Sequence, residues 1–269
     1  MNASEKLFST SALPDVQSHA DTRRLSIQRV GVKSLVHPVM VATAKGPQPS
    51  VATVDMTVAL PPEVKGTHMS RFLEVFQQHP DPIGYHSLQS LMDTMLVRLE
   101  ADRGYIKIKL PYFVSKAAPV SGVESLMDYQ VTWECEELQA SRTTTVTAVV
   151  PVTSLCPCSK KISEYGAHNQ RSHVTITAQI KGPFEVEDLI KVAERAASCE
   201  LWGLLKRPDE KYVTERAYDN PKFVEDLVRD IALALSAEPR IQGYSVESEN
   251  FESIHNHSAY AKIDHLSHT

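Results

Sequence analysis

The stretch at residues 152–172, VTSLCPCSKKISEYGAHNQRS, gathers the side chains best suited to chemistry. Cys156 and Cys158 flank Pro157; Ser159, Lys160 and Lys161 follow, and then Gly166 and His168. A thiolate and a neutral imidazole are good protein ligands for a divalent transition ion. Cys156 or Cys158 with His168 supplies two ligands, whereas a catalytic centre ordinarily takes three and leaves one position for water. The acidic stretch Asp209, Glu210, Glu215 offers candidates for the third. The same residues also suit a Cys–His nucleophile pair without metal, or a strand-end loop whose thiols are simply buried. No CxxC pair occurs, which argues against a closed structural zinc site.

A loop performs chemistry only if rigid elements hold it. The apolar run at 146–155 reads as a strand and the alternating run at 173–180 as another, so 152–172 joins two strands. Before it, strands are expected at 25–43 and 51–60. A helix at 69–78, with Ser70 as a possible cap, and one at 84–102 follow, then strands at 104–115 and 126–136. After it the pattern returns. Strands at 141–155 and 173–181 precede helices at 186–201 and 220–237, the second with Pro221 in its first turn. Strands at 240–251 and 257–264 close the chain. The order β-β-α-α-β-β thus occurs twice, a repeat of pattern rather than of residues. Each unit pairs four antiparallel strands with two helices on one face, an α+β arrangement. Residues 1–24 are polar and weakly periodic, and read as a flexible arm.

The chain has 269 residues, is 42% hydrophobic, and carries 28 Lys and Arg against 33 Asp and Glu, a formal net charge of −5. No basic stripe accompanies that balance, which argues against a nucleic-acid partner. Four cysteines at irregular spacing do not make a disulfide framework. No apolar run reaches membrane-spanning length, and the first residues lack an apolar signal core. A cytoplasmic location is expected, where a thiolate ligand stays reduced.

The run LCPCSKKISEYGAHNQRSH closely resembles the signature of the type IB GTP cyclohydrolase I family. The resemblance extends to KGTHMSRF (65–72) and SVESENFESIHNHSAYA (245–261), and so covers the chain from about residue 25 to its end. It implies metal-dependent hydrolysis of GTP to 7,8-dihydroneopterin triphosphate and formate, the first step towards tetrahydrofolate. It implies two tandem tunnelling-fold modules, here 25–138 and 139–269, whose barrel is completed by oligomerisation, in a homotetramer. By match to the family motifs, Cys156, His168 and Glu210 become the metal ligands. A soft, a borderline and a hard donor make a tolerant set, open to Zn²⁺, Mn²⁺ or Fe²⁺. Glu225 matches the glutamate that anchors the purine ring, with Asp226 as its rival. His255 and His257 are candidates to move protons or hold the substrate. Lys65, His68, Ser70, Arg71, Lys160, Lys161 and Arg171 are the groups available to a triphosphate, some of them across a subunit boundary. Cys158 reads as a packing or supporting thiol.

Two other readings compete. One is a tunnelling-fold nitrile reductase, which uses NADPH and would make Cys156 a covalent nucleophile; its ESKSLK-type run is absent here. The other is a non-catalytic purine- or pterin-binding module, which leaves the shared loop of Cys156 and His168 unexplained.

Overall fold

Alternation is written plainly into the strands. In β5 (Ser141–Leu155) Thr143, Thr145 and Thr147 face one way, while Val146, Ala148, Val150 and Val152 are buried on the other. The same period runs through most of β2 (Gln48–Leu60), β3 (Gly104–Ala117), β4 (Glu124–Leu138), β6 (Asn169–Ile180) and β8 (Ala259–His265); two register shifts interrupt it in β1 (Ile27–Val41), and β7 (Ile241–Asn250) buries residues 243–246 in a row. In the computed structural model, residues 20–139 and 141–266 are described. The eight strands form one antiparallel sheet in chain order, β1 to β8. Most of the expected arm lies outside the described residues. Of its last residues, Ala20 bridges to Val64 and the Asp21 N–H donates to the Glu63 carbonyl.

Helices cover one face only. From α1 (Met69–Gln77) Phe72, Val75 and Phe76 turn inward; from α2 (Tyr85–Leu99), Leu88, Leu91, Met92, Met95 and Leu99 do. The second half adds α3 (Pro157–Ile162), α4 (Val186–Ala196), α5 (Arg207–Asp219) and α6 (Val224–Ser236). Full burial of an aliphatic or aromatic side chain stabilises by roughly 1.5–3 kcal/mol. The continuous core between these helices and the sheet, which includes the buried Trp133 and Met56, is therefore the main support of the site.

The register gives the sheet two unlike ends. Val41↔Gln48, Ala117↔Glu124, Leu155↔Asn169 and Asn250↔Ala259 mark one end, where neighbouring strands connect directly or through short α3. At the other end lie Val58↔Gly104, Leu138↔Ser141 and Thr144↔Ile180, and from there depart the long helical connections. Residues 156–168 and 251–258 therefore share the first, hairpin end.

Several expected boundaries move. His68, not Ser70, is the N-cap of α1. α6 begins at Val224, so Pro221 precedes it rather than sitting in its first turn. α4 stops at Ala196, because Ala197 turns extended and Cys199 pairs with Thr153 across a β-bridge; Cys199 is not helical. α3 and α5 lie where no helix was expected.

Candidate metal centre

The site is built outward from the last pair of β5 and β6. Leu155 opposes Asn169, and one step further the Cys156 N–H donates to the His168 carbonyl at 3.2 Å. The two candidate ligands are thus backbone partners at the mouth of one loop. Proline at the first position of α3 suits a helix start. Cys156 caps that helix, its Sγ accepting from the Ser159 N–H at 3.5 Å. Gly166, at φ +117°, turns the chain back towards His168 in a conformation that disfavours other residues.

Leu155 also anchors the helices. Its N–H donates to the buried Ser198 hydroxyl at 3.0 Å, and its carbonyl accepts from the Lys222 N–H at 3.1 Å. The second bond brings the start of α6, and with it Glu225, to the hairpin end. Glu225 is exposed in the first turn of α6; Asp226 pairs with Arg229 at 3.4 Å.

His168 is mostly buried, its side chain 14% exposed. Its Nδ1 lies 3.0 Å from Gln170 Oε1, 3.5 Å from Ser253 Oγ and 3.9 Å from Glu252 Oε2. Its Nε2 makes no hydrogen bond among the described residues. Glu252 and Ser253 open the β7–β8 connection, which the Phe251 N–H ties to the Arg171 carbonyl at 3.0 Å. His255 and His257 sit further along it, exposed, with rings stacked 5.1 Å apart.

Other expected residues are placed differently. Glu210 is exposed on α5, and Glu215 pairs with Lys211 on the surface. Asp209 is fully buried and serves the fold: its carboxylate accepts from the N–H groups of Val120, Ser121 and Lys206 and from the Ser121 hydroxyl. Burial pushes its pKa up, but the hydrogen bonds, those from Ser121 foremost, outweigh that and hold it well below the usual carboxylate range. Lys160 donates to the Tyr218 carbonyl and lies 4.1 Å over the Tyr218 ring, which fastens α3 to the end of α5. Lys161 and Arg171 are exposed. The segment with Lys65, His68, Ser70 and Arg71 follows β2, at the opposite end of the sheet. There Arg71 pairs with Glu100 at 3.6 Å. Within one chain that segment does not meet Cys156.

The four cysteines separate clearly. Burial pushes the Cys135 and Cys199 thiols up to about 11, so both stay protonated at neutral pH. Cys158 is exposed and Cys156 half-buried. Beside the loop, a cavity of 280 Å³ opens between Gln170 and Arg171 of β6 and Val213 and Ala217 of α5. A larger cavity of 470 Å³ lies between the starts of α2 and α4 and holds none of the candidate residues. Among the described residues, no group of three or more His, Cys, Asp and Glu side chains is gathered as a metal cage. The donor types present still fit a divalent transition ion: a thiol and an imidazole are carried by residues paired through their backbones at one loop mouth. Gln170 and Glu252 lie within the quoted motifs, but which atoms they would meet depended on a register that only the folded sheet supplies.

The profile of the family described as Type I GTP cyclohydrolase folE2 matches residues 13–261. A GTP cyclohydrolase FolE2 of Dechloromonas aromatica is 60% identical over 265 residues, covering 98% of each chain. Another, of Cupriavidus metallidurans, is 59% identical over 253 residues, covering 94% of this chain and 95% of the relative. A third, of Thiobacillus denitrificans, is 60% identical and covers 94% of each. Among solved structures, the uricase of Arthrobacter globiformis superposes with a TM-score of 0.51 over 90% of this chain and 95% of its own, at 8% identity. A hyperthermostable mutant urate oxidase of Bacillus sp. TB-90 also scores 0.51, over 88% and 97%, at 9% identity. At such identities the likeness concerns the fold alone, an α+β fold on one antiparallel sheet. With the motifs, the sheet and these relatives together, the chain belongs to the Type I GTP cyclohydrolase folE2 family.

Proposed function

We propose that this chain is a GTP cyclohydrolase I of the type IB class, which hydrolyses GTP to 7,8-dihydroneopterin triphosphate and formate for folate biosynthesis. The observation that carries the reading is the family match over 13–261, with relatives about 60% identical over nearly the whole chain. The backbone pairing of Cys156 with His168 supports the place of the chemistry.

Cys156 Sγ and His168 Nε2 would hold one Zn²⁺, Mn²⁺ or Fe²⁺. Glu210 would complete the set, from its own chain or a neighbouring one. When bound, such an ion supplies Lewis-acid activation of water at neutral pH. Glu225, exposed at the start of α6, accepts hydrogen bonds from the guanine N1–H and 2-amino group and so fixes the ring. His255 and His257, on the loop hitched to His168, deliver and remove protons as C8 is hydrated and the imidazole ring opens. The same residues serve the second hydrolysis, which releases formate, and the re-closure that forms the dihydropterin ring. Net, one water is consumed.

Arg171 lines the cavity beside the loop and is offered to the triphosphate; Lys160 reaches it only by leaving Tyr218. Lys65, His68, Ser70 and Arg71 act on a neighbouring subunit's site, since their own lies at the far end of the sheet. A homotetramer supplies that neighbour, with two modules per chain (25–138 and 139–269) completing barrels at their open edges. A reducing, cytoplasmic setting keeps Cys156 unoxidised and able to bind the ion.

The test is a metal-resolved GTP assay on chelator-stripped protein with Zn²⁺, Mn²⁺ or Fe²⁺ restored separately, following the fluorescent oxidised neopterin product. Product should form only after metal is restored, and Cys156→Ala should lose turnover and metal binding together. Full turnover in that variant would sink the ligand assignment.

A further inference from the structure

We infer that Gln170 is the positioning residue of this centre: its side-chain amide decides which nitrogen of His168 faces the ion, and ties that ligand to the β7–β8 loop. The inference rests on the reading of His168 as a metal ligand.

The chain of contacts starts at Glu252. A carboxylate only accepts hydrogen bonds, so the Gln170 amide nitrogen must be the atom that faces Glu252 Oε1, at 3.4 Å. The amide then has to present its oxygen, Oε1, to His168 Nδ1 at 3.0 Å. An amide oxygen also only accepts, so Nδ1 must carry the proton. A neutral imidazole has one N–H, and Nε2 is therefore left with its lone pair. Glu252 Oε2, 3.9 Å away, favours the same protonated Nδ1, and the Ser253 hydroxyl, 3.5 Å away, can accept from it or donate to it and so is compatible with either tautomer. The side chains of His168 and Glu252 are only 14% and 12% exposed, so water competes poorly for these partners.

The sheet holds the arrangement. Gln170 is in β6 opposite Ser154 of β5, two residues after His168, which lies just before the strand and whose ring its side chain meets. Across the other edge of β6, the pair Ser172↔Asn250 and the Phe251-to-Arg171 bond set Glu252 beside Gln170. Glu252 also opens the connection that carries His255 and His257. One amide thus links the orientation of a ligand to the placement of the proton-transfer loop. Losing the outer partner of a ligating histidine commonly costs about 10–100-fold in metal affinity.

The experiment titrates chelator-stripped full-length protein with Zn²⁺ against a chromophoric chelator, and follows amide hydrogen exchange at residues 253–258. Wild type is compared with Gln170→Leu, Gln170→Glu and Cys156→Ala. Leucine removes both contacts. Glutamate still accepts from Nδ1–H but has nothing to donate to Glu252. Gln170→Leu should bind Zn²⁺ about 10–100-fold more weakly than wild type. Gln170→Glu should keep near wild-type affinity, while both variants exchange faster at 253–258. If Gln170→Leu binds Zn²⁺ like wild type and Cys156→Ala does not, the role of Gln170 is refuted and the metal centre stands. If all three variants bind like wild type, the metal-centre reading itself fails. Equal weakening in the Leu and Glu variants would overturn the tautomer argument.

Discussion

Asp209 and Glu210 are chain neighbours with opposite surroundings, one sealed against the β3–β4 turn and the other in solvent. Residue type alone made them equal candidates for the metal. What separates them is the turn of Val120 and Ser121, which is distant in sequence and supplies three of the four donors to Asp209. Because the folded pKa of Asp209 is depressed, its contribution to stability is fully present above its unfolded value, near 3.8, and is lost as pH falls below that. Asp209→Asn should therefore melt below wild type at pH 7 in calorimetry, and the gap should close below about pH 4. A gap that stays constant with pH would show that shape, not charge, matters at this position. Cys156, His168 and Gly166 were legible for the opposite reason: their partners lie within one short loop. Gln170 was not, because its role needs Glu252 from another strand.

At the scale of elements, α5 shows where pattern reading runs out. Of its thirteen residues only Asp209 and Ala217 are buried, so the sequence RPDEKYVTERAYD carries almost no apolar period to detect. Its order comes from its ends. Asp209 holds the first turn, and Lys160 and the Asn220 side chain, which donates to the Ala197 carbonyl at 2.8 Å, hold the last. The connection before it is equally tight, since a Cβ on Gly203 would lie 2.5 Å from the Leu126 carbonyl oxygen. Backbone must yield to relieve such a clash, at a typical cost of about 1–3 kcal/mol. Gly203→Ala should lower the urea midpoint by a corresponding amount and speed proteolysis within residues 197–206. An unchanged midpoint would mean the connection is looser than its packing suggests. α2 and α6, by contrast, bury regular apolar stripes and were readable as helices, although α6 starts a turn later than the pattern suggested.

At the scale of the whole molecule, the one sheet leaves two strands, β1 and β8, each with a single partner among the described residues. The face without helices carries exposed Val36, Met40, Val51, Leu126 and Tyr260 beside polar rows. Unpaired edges and an uncovered face invite association with like copies. Val36, 65% exposed in β1, is the place to test this. Val36→Glu should shift sedimentation towards smaller species and reduce GTP turnover in parallel. A variant that stays assembled and fully active would remove this face from the interface. The β-β-α-α-β-β order of the first half was legible from periodicity; in the second half the four strands were, but α3 and α5, which carry little apolar period, were not. The continuity of one sheet across Leu138 and Ser141 was not, because pairing between halves leaves no mark on local pattern.

That the strands pair strictly in chain order has a consequence during synthesis. Each strand leaving the ribosome finds its partner already made, so the sheet can grow by addition to one edge without waiting for distant sequence. Two helical excursions interrupt this growth, at 61–103 and at 181–240, and through the longer second one β6 waits for β7 as a bare edge. A ribosome stalled within that excursion would display the growing edge of the sheet. Aggregation of nascent chains should therefore concentrate on truncations ending there, rather than on those ending after β2 or β4.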